Sequence, residues 1–580
     1  MNSNKSIKTI SVIILVLFVA VICIVSLTLS ISKNDGGDND SDRYDDVRHE
    51  ASMTKEEAEA EFERMAAEVE PSYPEPVKSS VDLSQAELAN EVPSIEEYPL
   101  SVEGGGEVDI EIFATSEKSG KDKDGWINDV AELFNDEHYM TKSGRSMSVS
   151  IRPMASGLGA DYIISKVHLP AAYTPSNELF GAITLAQGGE IELVTDTLVK
   201  NTAGILVSGD IESKIKSKYD EVSMQTVIRA TEDNVIAMGY TNPLSSATGL
   251  NFLVSTLYSY DAKNILSDEA VKGFRDFQLN VPYVAYTTLQ MRESAKSGSL
   301  DGMVMEYQSY INDEELKENY SFIPFGIEHN NPLYSVGKLT DDEKEVLEAF
   351  ADYCKSEQAQ SIAEDYGFNQ MNYTPEVDIS GLTNRDISDA QALWKENKDL
   401  GKEIIAVFVA DVSGSMDGEP IMQLKQSLVN GAKYIGDNVQ VGIVSYSDEV
   451  FINLPIAKFD LNQRAYFQGA VESLMASGGT ASYDAVAVAA DMLIKAKQEQ
   501  PDAKIMLFLL SDGQANIGYD LEEIRGCVDA SNIPVYTIAY GEGADTEELS
   551  DLSSINEAAA INASSDDVIY KIKSLFNSEM

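Results

Sequence analysis

The sequence predicts an α/β protein with two separate folded regions behind an apolar N-terminal segment. Three observations predict it. Two continuous apolar runs, Ile404-Ile405-Ala406-Val407-Phe408-Val409-Ala410 and Ile505-Met506-Leu507-Phe508-Leu509-Leu510, have the length of strands buried on both faces, and each runs into a polar turn. Upstream, Val108-Asp109-Ile110-Glu111-Ile112-Phe113-Ala114 alternates like a strand and opens a region in which strand and helix patterns follow each other. Finally, Thr9 to Ser32 is a charge-free stretch of 24 residues, enough for one helical membrane span.

Taken in order, residues 1–8 read as a cytoplasmic tail and 9–32 as a transmembrane anchor. Lys5 and Lys8 precede the span, whereas Asp35, Asp38, Asp40 and Asp42 follow it, so the bulk of the chain is expected outside the cell, on a single-pass cell-membrane protein. A cleaved signal peptide is the competing reading, with a weak small-x-small site at Ser30-Ile31-Ser32, although the apolar run is long for one. Cys23 follows Ile22, a poor match to a lipoprotein cleavage box. Residues 33–105 are acidic, rich in Ser, Pro and Gly, and read as a flexible stalk ending at Gly104-Gly105-Gly106. Within it, Thr54-Lys55-Glu56-Glu57 resembles a capping box and predicts a short surface helix over Thr54 to Glu70.

Residues 106–380 form the first α/β region. Helical spacing covers Gly125 to Met140 and Ala160 to Val167, with a strand at Met147 to Ile151. Ala172-Tyr173-Thr174-Pro175-Ser176-Asn177 is a polar turn before a helix. The strand Val235 to Tyr240 leads into Thr241-Asn242-Pro243-Leu244-Ser245-Ser246-Ala247-Thr248-Gly249-Leu250, which opens a helix. Ser297 to Tyr307 is turn then strand, and Thr340 to Asn369 a long helical tail. This order is similar to the extracellular solute-binding proteins of ABC transporters, the two-lobed type. The resemblance implies two α/β lobes, with the chain crossing near 205 and returning near 315, and a small solute held between them at helix N-termini. Ser245, Ser246, Thr248 and Gly249 stand where such a site would be, with Thr115, Ser116, Ser176 and Tyr307 as further candidates. The same hydroxyls would serve equally as helix caps.

Residues 381–400 read as a linker with a short helix over Asp386 to Leu400, and Trp394 packing on one domain. Residues 401–580 carry the sharpest signal. Asp411-Val412-Ser413-Gly414-Ser415 follows the first buried strand, Ser477-Gly478-Gly479-Thr480 opens a helix, and Ser511-Asp512-Gly513 follows the second buried strand. Carboxylates and hydroxyls on turns at the carboxyl edge of a parallel sheet suit a hard divalent cation. The region resembles a von Willebrand factor type A domain with a metal-ion-dependent adhesion site. That resemblance implies a doubly wound, Rossmann-like fold, direct Mg²⁺ (or Mn²⁺ or Ca²⁺) ligation by Ser413, Ser415 and Thr480, outer-shell roles for Asp411 and Asp512, and an open coordination position for a partner's carboxylate. Strands are expected near 404–410, 439–445, 450–456, 505–510, 534–540 and 558–562, with 450–456 as an antiparallel edge after the tight Ser447-Asp448-Glu449 turn.

The 96 acidic against 43 basic residues give a formal charge of −53, which opposes nucleic-acid partners. Cys23, Cys354 and Cys527 fall in different regions and suggest no disulfide framework; His49, His138, His168 and His329 are scattered and read as surface or packing residues. No Ser-His-Asp order, Walker loop, zinc box or dinucleotide fingerprint stands out, so a non-enzymatic role is expected. The reading is an anchored extracellular binding protein that captures a carboxylate-bearing protein partner through its metal site, with a second, solute-binding-like domain. The alternative is a transporter's substrate-binding component carrying an accessory A domain. A chelatase-like partner of an ATPase is a third class, and the N-terminal span argues against it.

Overall fold

A computed structural model describes residues 53–81, 92–281, 283–285, 291–292, 300–398, 402–436, 439–512, 515–540, 544, 546–556, 558 and 560–563. The expected membrane anchor and Cys23 lie outside them. Among the described residues, no helix is long and apolar enough to cross a membrane.

The middle region is two lobes. The first has strands β1 (Val108–Ala114), β2 (Met147–Pro153), β3 (Ala172–Thr174) and β4 (Ile191–Thr195). The second has β5 (Asn201–Ser208), β6 (Met238–Thr241), β7 (Tyr283–Ala285), β8 (Gly302–Glu306) and β9 (Tyr320–His329), before β10 (Leu333–Val336) rejoins the first. The sheet orders are β2-β1-β3-β10-β4 and β7-β6-β8-β5-β9. The chain therefore crosses over residues 196–200, close to the expected 205, and returns over residues 330–332, later than the expected 315. An apolar strand reads the same in either lobe, so periodicity could not show that β9 still belongs to the second. The expected helical tail is two helices, Asp341–Cys354 and Glu357–Asp365, because Ser356 caps the second by accepting from the Ala359 amide. The expected linker helix, Asn384–Asn397, is part of the second lobe's core: Trp394 is fully buried and its indole N–H donates to the Tyr240 hydroxyl at 2.8 Å.

The C-terminal sheet adds β11 (Ile404–Asp411), β12 (Val439–Tyr446), β13 (Val450–Lys458), β14 (Lys504–Ser511), β15 (Val535–Tyr540) and β16 (Ala560–Ala563), in the order β13-β12-β11-β14-β15-β16. β11 is central and parallel to both neighbours, and β13 is the antiparallel edge, as expected. Alternate residues of β11 serve the two faces. Ile405, Val407 and Val409 pack toward helices Ser482–Glu499 and Leu521–Ser531; Ile404, Ala406 and Phe408 pack toward Leu424 and Phe467.

The stalk reading is corrected over residues 53–81 and 92–105. Helix Lys55–Val69 has the expected Thr54–Glu57 capping box, yet it is not a surface helix standing free. Ala58, Phe62, Met65 and Ala66, spaced as one helical face, are buried in the core that holds Val407 and Val486. Ser72 then joins the β13 edge: its amide donates to the Val450 carbonyl and its carbonyl accepts from the Ile452 amide, both at 2.9 Å. Lys78 donates to Asn462 and lies 4.6 Å over the Tyr466 ring. Farther along, Ser101 and Val102 bond to Ile151 of β2, Arg152 donates to the Ile95 and Tyr98 carbonyls, and the Tyr162 hydroxyl donates to the Pro93 carbonyl at 2.7 Å. The segment is thus a strap, folded against the C-terminal domain first and the first lobe second. The acidic composition hid a stripe of four apolar residues.

Candidate functional site

The three predicted loops meet at the carboxyl edge of β11 and β14. Asp411 is the last residue of β11 and fully buried. One carboxylate oxygen accepts from the Ser413 amide at 2.8 Å; the other accepts from the Ser511 hydroxyl at 2.7 Å and the Tyr446 hydroxyl at 3.1 Å. Burial raises its carboxyl pKa, bonds from Ser413 and Ser511 oppose that rise, and the charge of Asp512 adds to it. Ser413 and Ser415 bring their hydroxyl oxygens to 3.0 Å from each other. The Gly414 amide donates to the Gly478 carbonyl at 2.9 Å and the Ser477 amide to the Val412 carbonyl at 2.8 Å, tying the first loop to the second. Gly478 has φ +83°, and an added Cβ would lie 2.4 Å from the Asp448 carboxylate, so only glycine allows this approach. Thr480 follows, 4 % exposed. Its amide donates to Asn516 Oδ1 at 3.0 Å, and Asn516 Nδ2 donates to its hydroxyl oxygen at 3.4 Å.

These donors are all hard oxygens. The Ser413 and Ser415 hydroxyls hydrogen-bond to each other at 3.0 Å, a separation that two cis oxygens around an octahedral Mg²⁺, with bonds of ~2.1 Å, would also have. Among the described residues no group of three or more His, Cys, Asp or Glu could hold a metal. A site built from serine and threonine hydroxyls falls outside that chemistry. The sequence reading missed Tyr446, Ser511 and Asn516. Ser511 was the legible one, adjoining Asp512 at a strand end.

In the middle domain the predicted residues divide. Thr115, Ser176, Ser245, Ser246 and Thr248 are buried where the lobes meet. The Gly157 amide donates across to the Ser245 carbonyl at 3.2 Å, and Asn177 Nδ2 to the Ala247 carbonyl at 3.1 Å, so the cleft is closed. Ser246 is the N-cap of helix Ala247–Tyr260 and accepts from the Gly249 amide; Thr248 donates to Glu306 at 2.9 Å. Gly249 lies against the Thr241 carbonyl, too close for any side chain. Ser116 is exposed, on the outward first turn of a short helix. Tyr307 packs edge-on against Phe322 in an aromatic cluster with Tyr310. Neither supplies the cleft.

What fills the cleft is a polar network that the sequence reading did not assemble. Lys118, fully buried, donates to Thr115 Oγ1, the Thr174 carbonyl and Asn331 Oδ1 at 2.8–2.9 Å. Burial drives its pKa down to about 7 against the pull of Glu117 and Glu306. Glu306, 2 % exposed, accepts from Thr248, Asn201 and His329. Burial opposes its charge, but the His329 ring, the Thr248 hydroxyl and Lys118 hold its carboxyl below the usual range. His329 is fully buried. Asn177 and Asn251 both present amide nitrogens to its Nε2, and each amide's oxygen is held by a backbone N–H, of Leu179 and Ile327. Nε2 is therefore the acceptor and Nδ1 donates to Glu306. A separate groove of about 540 Å³ lies between helices Glu178–Ala186 and Asn384–Asn397 and holds none of the predicted ligand residues.

Residues 126–369 match the family model for bacterial extracellular solute-binding proteins, and residues 406–576 match the von Willebrand factor type A domain. The chain thus joins a domain of the solute-binding-protein family to a von Willebrand factor type A domain. Among curated relatives it is similar to inter-alpha-trypsin inhibitor heavy chain H4 of Bos taurus, 32 % identical over 19 % of this chain and 13 % of that protein. It is also similar to the collagen alpha-1(XXI) chain of Homo sapiens, 32 % identical over 25 % of this chain and 15 % of that one. The matched part is therefore under a sixth of either relative. Similar solved structures include a von Willebrand factor type A protein from Catenulispora acidiphila (21 % identity, TM-score 0.29, 31 % of this chain and 43 % of that) and a periplasmic thiamin binding protein (13 %, TM-score 0.36, 51 % and 99 %).

Proposed function

We propose that this protein is a membrane-anchored extracellular binding protein, not an enzyme, whose C-terminal domain captures a carboxylate-bearing protein partner through a divalent cation. Ser413, Ser415 and Thr480 would hold the cation, and Asp411 and Asp512 would support it. The observation carrying this reading is the 3.0 Å pair of serine hydroxyls with the buried Asp411 carboxylate directly behind it. Mg²⁺, Mn²⁺ and Ca²⁺ all take hard oxygen ligands of this kind. The cation supplies a positive charge that the site itself lacks, and this chain's residues hold it at the domain surface. Isothermal titration of the full chain in detergent should detect Mg²⁺ binding, and Ser413→Ala with Thr480→Ala should abolish it. Unchanged binding in the double variant would sink the assignment.

A second reading has the middle domain capturing a small solute for transport, with the A domain accessory. The buried polar network between the lobes favours it, because donors and acceptors from both lobes converge there. A solute would have to take over bonds that Lys118, Glu306 and His329 now make with protein groups. The lobes would have to part to admit it. Tight solute binding with no metal-dependent partner would favour this reading.

A further inference from the structure

We infer that the strap helix is a working part of the metal site: Glu68 anchors the loop at Tyr519, and Asn516 on that same loop positions Thr480. This rests on the metal reading above. The apolar face of helix Lys55–Val69 needs no functional explanation, since covering hydrophobic surface accounts for Phe62 and Met65. The polar contact at its end is not explained that way. Glu68 lies in the last turn, and its Oε2 accepts from the Tyr519 hydroxyl at 2.8 Å, 451 residues farther along the chain. Arg64, one turn earlier, holds the other Glu68 oxygen at 2.5 Å.

Tyr519 belongs to the segment that leaves β14 after Asp512. Its amide donates to Asp484 Oδ1 at 2.8 Å, and Asp484 lies on helix Ser482–Glu499, which begins two residues after Thr480. Gly518, at φ +78°, sits against the same carboxylate, where an added Cβ would lie 2.1 Å from it. The loop is therefore pressed onto the start of this helix. Three residues before Tyr519, Asn516 grips Thr480 at three points. Its amide donates to the Thr480 carbonyl, its Oδ1 accepts from the Thr480 amide, both at 3.0 Å, and its Nδ2 reaches the hydroxyl oxygen at 3.4 Å. A donor on that oxygen occupies one lone pair and leaves the other for a cation. The strap acts on Thr480 through the loop. Glu68 is 58 % exposed, so its own effect should be small and that of Asn516 larger.

The test is Mg²⁺ titration of the full chain in detergent, paired with amide hydrogen exchange of residues 515–520 in metal-free protein. Asn516→Ala should weaken Mg²⁺ about 10-fold, the scale for losing a residue that orients a metal ligand. Tyr519→Phe and Glu68→Ala should each weaken it by about 3- to 5-fold and speed exchange at 515–520, with the metal-free melting temperature unmoved. Glu68→Gln keeps an acceptor for the tyrosine and should restore wild-type affinity. If Glu68→Gln behaves like Glu68→Ala, the effect is one of charge and the positioning role is overturned. It is equally overturned if Glu68→Ala and Tyr519→Phe bind Mg²⁺ as wild type does. Absence of cation binding in the wild type is a different result: it removes the metal reading itself, and this inference with it.

Discussion

At Glu111 one carboxylate receives both the Arg152 guanidinium and the His168 ring, the latter at 2.6 Å. Burial works against its charge, but these two partners win and hold its pKa below the ordinary value of 4.5. A depressed folded-state carboxyl stabilises above the unfolded pKa and loses that stability as pH falls through the folded one. Glu111→Gln should therefore cost about 1–3 kcal/mol at pH 7, and the gap should close as the pH falls below about 4.5. Denaturant melts of both proteins across pH 3–7, as an order-of-magnitude window around that value, would check it. A gap that stays constant into acid would show that the pair adds no net charge interaction. At this scale the motif residues were legible, because Asp411, Ser413 and Ser415 sit within five positions on one turn. Lys118 was not: its acceptor Asn331 is 213 residues away, and nothing local marks either one.

Among elements, the strap departs most from expectation. Phe62 is fully buried against the sheet face that carries Val407 and Val409, and it belongs to a segment that composition alone would leave in solvent. Phe62→Ala should destabilise the C-terminal domain by about 3–5 kcal/mol, the usual cost of a large buried aromatic. A fragment of residues 402–580 should melt well below the same fragment carrying residues 53–81 in cis or added as a peptide. Equal melting temperatures would show the strap to be dispensable. The boundaries of β11 and β14 were readable because both are uniformly apolar and end at polar turns. The strap helix was readable from its capping box, but its burial was not, because charged residues outnumber its apolar stripe and only the sheet it covers gives that stripe a purpose.

For the whole molecule, the two folded regions make separable predictions. Retention of an envelope partner by the proposed metal site should require Mg²⁺ and should be lost with EDTA or with Asp411→Ala, since no metal-bridged carboxylate can then form. Small-molecule binding by residues 107–380 should persist in EDTA, because the donors there are hydroxyls, amides and the Lys118 ammonium. A pull-down from an envelope extract with and without chelator, run beside calorimetry with candidate solutes, checks both. If chelator leaves partner retention unchanged, the metal-bridge reading is wrong; if it abolishes solute binding, the proposed donors are.

The sequence by itself determined the class of each region. Uniform apolar runs dictate a parallel sheet buried on both faces, and a short polar motif at the end of such a run needs only local geometry to place its oxygens on one edge. Turn chemistry likewise placed β13 at the antiparallel edge before any coordinates. Only the tertiary structure decided what depends on distant segments meeting: where the chain returns to the first lobe, which side chains close the cleft, and that residues 53–81 complete the C-terminal domain. The physical reason is the same in each case. Burial and hydrogen bonding act through space, whereas composition and periodicity record only neighbours along the chain. Glu68 and Tyr519 are the clearest instance, 451 positions apart and 2.8 Å from each other.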